Sequence, residues 1–397
     1  MQTVDAGILR SALTGHLEVD EAQGALTPWR LPADLRRYVP PSLALMAEFT
    51  SGVRLRLRTN ADRFVVEASL VRLAMRHIGR PEAPARLVVV DGEREIVAEV
   101  DKTGVVVETA DRRFERGPAV RSRIDFDLTP GGNERDVELW FPHDAGITVH
   151  GITASVGDAP AWVAPAAAPA LPRWVHHGSS ISHGGSATLP TRTWPVVAAR
   201  EVGAEVVNLG FGGNAMLDPA TARAIGRTPA DIITLKIGIN IVGADAMRAR
   251  TFVPAVHGFL DLVREGHPRT PIVMISAIGS AALESTPGPL RPGADGRVAA
   301  TPREVAAGDG TLTLEVTRAL LAEVVEARRV EDPTLFHLDG TRLLRPDEGG
   351  YLPDGLHPDD EGYALIAARF SALAADPDEP LGTAFAEARR SAAPQKR

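Results

Sequence analysis

A change of hydrophobic pattern across residues 157–172 constrains this chain more than any other feature of its sequence. Upstream, residues 51–58 alternate valine and leucine with arginine, which is the period of a half-buried strand. Three more apolar runs between residues 86 and 109 are separated by Asp91-Gly92 and by a turn that ends at Gly104, and both are hairpin signals. The pattern predicts an antiparallel, jelly-roll-like β-sandwich over residues 1–156.

Downstream, apolar strands alternate with amphipathic helical stretches, which is typical of βαβ units and a parallel sheet. The predicted strands lie at residues 174–177, 205–210, 231–238, 271–277 and 335–340. We therefore expect an α/β domain over residues 173–380, with its functional site at the carboxyl ends of the strands. Residues 157–172, rich in alanine and proline, are expected to form an extended connector, and residues 381–397 a flexible tail.

Composition excludes several classes of chemistry. The 397 residues favour two domains, and the absence of cysteine excludes disulfides, thiolate metal sites and a cysteine nucleophile. Only three of the 43 basic residues are lysine, which argues against a catalytic lysine. The net charge of −8 argues against nucleic acid as a partner, and no apolar run of about 18 residues predicts a membrane span. Without a recognisable secretory signal, a cytoplasmic protein is expected.

Four short motifs follow predicted strands, at residues 178–182, 208–215, 238–240 and 354–358. The first contains serines at a strand-to-helix turn, and the last places an Asp and a His three residues apart, so that the carboxylate can orient the imidazole. The asparagine that ends the third motif is either an oxyanion donor or a turn cap. Together the motifs meet the needs of nucleophilic acyl chemistry.

Two of these regions have other interpretations. Gly210, Gly212 and Ala215 fit a dinucleotide fingerprint as well as a tight glycine turn, although the motif follows the second strand of the unit, not the first. A metal site built from His176, His183 and an aspartate is a further alternative. Our prediction is that the protein binds neither a cofactor nor a metal.

The four motifs, over residues 172–376, resemble the SGNH or GDSL-type hydrolase superfamily of esterases and acylhydrolases. The resemblance implies Ser180 as nucleophile, His357 as base and Asp354 as the orienting acid. It also implies that the N–H groups of Ser180 and Gly213 and the side chain of Asn240 bind the oxyanion. The implied fold is a flavodoxin-like, five-stranded parallel sheet, in a subgroup that carries an N-terminal β-sandwich.

Two positions depart from the family pattern. Ser179 stands where the eponymous motif has aspartate, and Ile241 stands where aspartate often follows the asparagine. Neither position belongs to the implied triad, so the departures bear on the substrate more than on the activity.

The predicted function is a serine esterase that cleaves a small-molecule ester, such as an acylated sugar or natural product, through a covalent acyl-enzyme. An acyltransferase would use the same residues. A dinucleotide-dependent enzyme and a non-catalytic carbohydrate-binding protein are alternatives from other classes. The long loop at residues 278–310 is expected to act as a lid that shapes the acyl or alcohol pocket.

Overall fold

The computed structural model describes residues 2–74, 83–109, 113–293, 295–301, 304 and 308–392. The chain forms two compact units. The first contains residues 1–34, 40–169 and 189–191, and the second contains residues 35–39, 170–188 and 192–397. Among the described residues, no helix is both long enough and apolar enough to cross a membrane.

The chain up to Pro165 is mostly β-structure. Its strands are β1 (Gln2–Thr3), β2 (Leu13–Thr14), β3 (Glu18–Ala22), β4 (Ala25–Trp29), β5 (Arg54–Thr59), β6 (Arg63–Ala74), β7 (Ala85–Asp91), β8 (Arg94–Val100), β9 (Gly104–Glu108), β10 (Phe114–Arg116), β11 (Val120–Asp127), β12 (Arg135–Trp140), β13 (Ala145–Val156), β14 (Ala159–Pro160) and β15 (Val163–Pro165). Its helices, which the β pattern did not predict, are α1 (Ala6–Ala12), α2 (Ala33–Arg36) and α3 (Pro41–Glu48).

Within the described residues, the strands of the first unit form a nine-stranded and a six-stranded sheet. The longer sheet runs β10-β9-β6-β13-β4-β3, and the shorter one runs β15-β5-β12-β7-β8. Side chains of both sheets, such as Leu57 of β5 and Phe64 of β6, share one buried apolar cluster. One of the β5 arginines does not face water. Arg54 is buried, and its Cζ atom lies 4.5 Å from the centroid of the Trp140 ring.

The segment expected to be an extended connector, residues 157–172, includes two short strands. β14 pairs with β13, and β15 pairs with β5 at the edge of the shorter sheet. An alanine- and proline-rich segment is already extended, and an edge strand tolerates proline because one side of its backbone needs no partner.

The second unit begins with β16 and alternates strands with helices. Its strands are β16 (Arg173–Gly178), β17 (Glu205–Gly210), β18 (Ile232–Lys236), β19 (Ile272–Ile275), β20 (Leu290–Pro292), β21 (Val298–Ala300) and β22 (Leu335–Leu338). Its helices are α4 (Ser180–His183), α5 (Trp194–Val202), α6 (Pro219–Arg227), α7 (Ile239–Gly243), α8 (Ala249–Gly266), α9 (Leu314–Arg328), α10 (Asp360–Ala375) and α11 (Pro380–Ala392). Short 3-10 helices lie at Pro190–Arg192, Gly340–Arg342 and Gly349–Tyr351.

A parallel sheet of five described strands, in the order β17-β16-β18-β19-β22, organises this unit. Aromatic side chains cover both faces of the interior strand β16. On one face Trp174 stacks on Phe370 of α10, with 4.9 Å between the ring centroids. On the other face His177 stacks on Phe259 of α8, with 5.8 Å between the centroids. The central strands are therefore buried on both sides, as their continuous apolar runs predict.

The prediction of a flexible tail from residue 381 is also wrong. Helix α11 extends to Ala392, and it buries Leu381, Ala384, Phe385 and Ala388. These residues recur at helical spacing, so they form one apolar face that packs on the unit. The remaining residues of the predicted tail, 393–397, lie outside the described part of the chain.

The segment expected to be a loop at residues 278–310 contains a β-hairpin. β20 pairs with β21 in antiparallel register, with Arg291 opposite Ala299. Residues 294, 302–303 and 305–307 of this segment lie outside the described residues.

Candidate active site

Ser180 is the first residue of the short helix α4, directly after β16. Ser179 caps this helix, because its side chain accepts a hydrogen bond from the N–H of Ile181 at 3.3 Å. The fold thus presents the Ser180 hydroxyl, which is partly exposed, at the carboxyl end of β16. This is where a parallel sheet places its functional groups.

Three side chains of the predicted triad form one continuous chain of hydrogen bonds. The Oγ atom of Ser180 lies 2.8 Å from Nε2 of His357, and Nδ1 of His357 lies 2.8 Å from Oδ2 of Asp354. Residues 177 positions apart in sequence are therefore brought into direct contact. The structure places Ser180, His357 and Asp354 in the arrangement that nucleophilic acyl chemistry requires.

The turn that carries the last two residues is held by the carboxylate itself. Oδ1 of Asp354 accepts hydrogen bonds from the N–H groups of His357 at 2.7 Å and Leu356 at 2.9 Å. Burial alone would raise the pKa of Asp354. The hydrogen bonds and charge of His357, together with the two backbone donors, instead hold that pKa well below its usual range.

An ionised carboxylate can only accept hydrogen bonds, which determines the tautomer of His357. Its Nδ1 must carry the proton that is donated to Asp354. In the neutral ring, Nε2 is then an acceptor for the hydroxyl proton of Ser180. The contacts thus arrange His357 as a base towards Ser180.

The candidate oxyanion donors follow the two strands that flank β16. Gly213 lies in the turn after β17 with a positive φ of 69°, and Asn240 lies at the start of α7 after β18. Oδ1 of Asn240 accepts the N–H of Ala215 at 3.0 Å, which joins these two segments. With its oxygen used in this way, Asn240 has its amide N–H groups available for a ligand.

The glycine motif that begins at the carboxyl end of β17 packs closely on α4, the helix that begins at Ser180. A Cβ on Gly210 would lie 2.4 Å from the backbone nitrogen of His183, so only glycine fits there. The side chain of Asn208 also donates to the carbonyl of Ser182 at 2.8 Å. Close packing on α4 thus explains why residue 210 is glycine, and it favours the interpretation of this motif as a tight glycine turn.

A chain of buried hydrogen bonds connects β16 and β18 to α4. It was not predicted from the sequence. Nε1 of Trp174 donates to Oγ1 of Thr234 at 2.8 Å, and Oγ1 of Thr234 lies 2.6 Å from Nδ1 of His176. Nε2 of His176 lies 2.8 Å from Oγ of Ser182. Both nitrogens of the neutral His176 ring therefore have a hydroxyl partner, one nitrogen as donor and the other as acceptor. The signal in the sequence was polar residues at alternate positions of two apolar strands.

Burial determines the charge of this network. It lowers the pKa of His176 well below its usual range, with the charges of His177 and Lys236 acting in the same direction. Burial also lowers the pKa of Lys236 to about 7. The Nζ atom of Lys236 has no hydrogen-bond partner among the described residues.

The alternative of a metal site at His176 and His183 does not fit these contacts. Both ring nitrogens of His176 are used by hydroxyl groups, and Nδ1 of His183 lies 3.0 Å from the carbonyl oxygen of Gly210. In the part of the chain that the structure describes, no group of three or more His, Asp or Glu side chains is placed to hold a metal ion.

Two family models match the chain. The GDSL-like lipase/acylhydrolase family model matches residues 173–285, and the model of the SsfX3 N-terminal domain matches residues 12–150. No curated protein sequence matches significantly.

Solved structures resemble the chain over nearly its whole length. Salicylyl-acyltransferase SsfX3 from a tetracycline biosynthetic pathway is 29% identical, with a TM-score of 0.72 over 90% of this chain and 92% of that chain. A GDSL-like lipase from Bacteroides ovatus is 18% identical, with a TM-score of 0.67 over 94% and 97% of the two chains. A family two carbohydrate esterase from Cellvibrio japonicus is 13% identical, with a TM-score of 0.56 over 97% and 98%. The last two likenesses establish the fold alone.

Proposed function

We propose that this chain, which is of the SGNH or GDSL type as its sequence motifs indicated, is a serine enzyme that cleaves a small ester through a covalent acyl-enzyme. The observation that carries the proposal is the continuous chain of hydrogen bonds from Asp354 through His357 to Ser180. In this proposal Ser180 is the nucleophile, His357 the base and Asp354 the group that orients the base.

Acylation of Ser180 is the first step of the proposed reaction. Nε2 of His357 removes the hydroxyl proton of Ser180 while Oγ attacks the ester carbonyl carbon. The N–H groups of Ser180 and Gly213 and the side-chain amide of Asn240 stabilise the resulting oxyanion. When the carbon–oxygen bond to the alcohol breaks, the proton on Nε2 passes to the departing alkoxide, and the acyl group remains on Ser180.

In deacylation the same groups act in the reverse order, and the acyl group passes from Ser180 to a second hydroxyl compound. Nε2 of His357 removes a proton from the incoming hydroxyl compound, whose oxygen attacks the acyl carbon. The proton on Nε2 then returns to Oγ of Ser180. If the incoming compound is water, the product is an acid and the enzyme is an esterase.

A second candidate function is acyl transfer, in which an alcohol takes the place of water. It is favoured by the 29% identity to an acyltransferase over 90% of this chain. For either reaction, we propose an acylated sugar or natural product as the substrate.

A panel of chromogenic esters of rising acyl length, run with and without acceptor alcohols, tests the proposal. Wild-type protein should release the chromophore and should be labelled by a fluorophosphonate probe. Ser180→Ala should lose both properties and keep its melting temperature. The matched control is Ser391→Ala, because Ser391 is an exposed residue of α11. Activity of Ser180→Ala near the wild-type level would exclude the proposal, and a new ester formed from an acceptor alcohol would identify a transferase.

A further inference from the structure

The turn that carries Asp354 and His357 is held in place from outside by one segment of the chain. Three consecutive carbonyl groups of this turn each accept a hydrogen bond from the segment between β19 and α9. Pro353 accepts from Nη1 of Arg297 at 3.1 Å, Asp354 from the N–H of Val298 at 2.7 Å, and Gly355 from Oγ of Ser280 at 3.2 Å.

The turn needs such support because its internal bonds determine its shape and not its place. Oδ1 of Asp354 closes the turn on the N–H groups of Leu356 and His357, and the N–H of Gly355 bonds to the carbonyl of Leu352 at 2.9 Å. Gly355 has a positive φ of 84°, which glycine adopts without strain. A turn closed on itself can still move as a body, and His357 would move with it.

The donors themselves are anchored to the body of the second unit. Ser280 is buried, and its N–H lies 3.4 Å from Oε2 of Glu284, which forms an ion pair with the largely buried Arg318 of α9. The N–H of Leu314 at the start of α9 bonds to the carbonyl of Leu283 at 3.0 Å. The part of the segment around Ser280 is therefore fixed to α9, and this fixes the position of the Ser280 hydroxyl that contacts the turn.

The other two donors lie on the β20–β21 hairpin. Pairing of Arg291 with Ala299 holds the two strands together, and the N–H of Gly293 bonds to the carbonyl of Arg297 at 2.6 Å. Arg297 is exposed, yet its guanidinium is directed to the carbonyl of Pro353. The hairpin thus presents a backbone donor and a side-chain donor to adjacent carbonyl groups.

We propose that the segment between β19 and α9 is a positioning element for the acid–base turn, with Ser280 and Arg297 as positioning residues. This inference rests on the proposed function of Asp354 and His357. It assigns to Ser280, Arg297 and Val298 a role beyond the lid expected from the sequence. The segment holds Nε2 of His357 at bonding distance from Ser180.

Three variants test this role, namely Arg297→Ala, Ser280→Ala and the double variant. Arg297 is exposed, so its replacement should leave folding intact, and a melting curve checks the Ser280 variant. Arg269→Ala is the matched control, because Arg269 is an exposed arginine that precedes β19 at the opposite end of the strands. The readouts are kcat and KM on a short chromogenic ester and the low-field proton NMR signal of Nδ1–H of His357 in its bond to Asp354.

The double variant should lower kcat about tenfold or more, because small misplacements of reacting groups are expensive. KM should stay within about twofold, since the segment does not hold the substrate in this proposal, and the low-field signal should broaden or disappear. Arg269→Ala should keep both the rate and the signal. An unchanged kcat and signal would overturn the inference, and so would a raised KM at unchanged kcat, which indicates a pocket wall. If wild-type protein neither cleaves esters nor reacts with fluorophosphonate, the proposed function fails, while the NMR comparison still tests the positioning.

Discussion

Nε2 of His176 and Oγ of Ser182 form a buried hydrogen bond of 2.8 Å, which joins β16 to the helix that begins at Ser180. A strand residue is thus tied to the third residue of α4. Gly178 permits this approach, because a Cβ at that position would lie 2.3 Å from Oγ of Ser182. The helix that carries the proposed nucleophile therefore contacts both β16 and the carboxyl end of β17.

Ser182→Ala should lower kcat about tenfold with little change in KM, because α4 loses a contact that orients Ser180. The change also leaves the buried Nε2 of His176 without its hydrogen-bond partner Ser182, which costs about 1–3 kcal/mol of stability. Steady-state kinetics and thermal unfolding measure the two effects. Ser371→Ala on α10 is the control, since its buried hydroxyl has no partner among the described residues. A loss of stability without any loss of kcat would show that other contacts hold the helix.

Asn240→Asp should lower kcat by about 10²–10³, the usual effect of losing one oxyanion donor. The carboxylate keeps an oxygen for the N–H of Ala215, so the local structure should survive, but it cannot donate to the oxyanion. Single-turnover acylation would locate the defect in the chemical step. Asn60→Asp in the first unit is the control, because Oδ1 of Asn60 likewise accepts a backbone N–H, that of Trp162 at 2.8 Å. Wild-type turnover by Asn240→Asp would remove Asn240 from the oxyanion site.

His357→Ala should lower kcat by about 10²–10⁴, the range for loss of a general base, and Asp354→Asn should lower it by less. An asparagine keeps an oxygen for the N–H groups of Leu356 and His357, so the turn persists. Its amide places a donor opposite Nδ1 and lowers the population of the tautomer in which Nε2 accepts from Ser180, whereas His357→Ala removes the base from every molecule. Rates of both variants on one ester provide the comparison, and an Asp354→Asn enzyme as inactive as His357→Ala would contradict it.

Lys236→Met should stabilise the protein at neutral and mildly acidic pH. Burial lowers the pKa of Lys236 from 10.5 to about 7, so the unfolded chain holds a proton between these values that the folded chain releases. The destabilisation is therefore fully present below pH 7 and disappears as the pH rises towards 10.5. At about 1.4 kcal/mol per pKa unit, its upper bound is about 5 kcal/mol.

Chemical unfolding of wild type and Lys236→Met at pH 6 and pH 9 measures this dependence. The gain in the free energy of unfolding should be largest at pH 6. Lys102→Met is the control for the substitution itself, because Lys102 is an exposed lysine. An equal gain at both pH values would mean that packing, and not charge, explains the stabilisation.

The sequence predicted much of the second unit because its signals are local. Continuous apolar runs indicated the five parallel strands, and β17 begins and ends at the residues that the pattern indicated. The prediction of a flexible tail was wrong. The helical spacing of Leu381, Ala384 and Phe385 is a weak sequence signal, and these residues stabilise α11 only because the rest of the unit buries them. The sequence did not predict the two strands within the expected connector, because an extended segment becomes a strand only where an open sheet edge is available.

The sequence by itself determined which residues the proposed chemistry would use and where they lie relative to strand ends. Ser180, Gly213 and Asn240 follow neighbouring strands, and Asp354 reaches His357 within one turn. Only the tertiary structure decided what holds these groups. The donors Ser280 and Arg297 lie 75 and 56 positions from the carbonyl groups they contact, and Ser182 lies on another element than its partner His176. Such contacts depend on how layers pack, and local periodicity carries no information about which distant side chains that packing brings together.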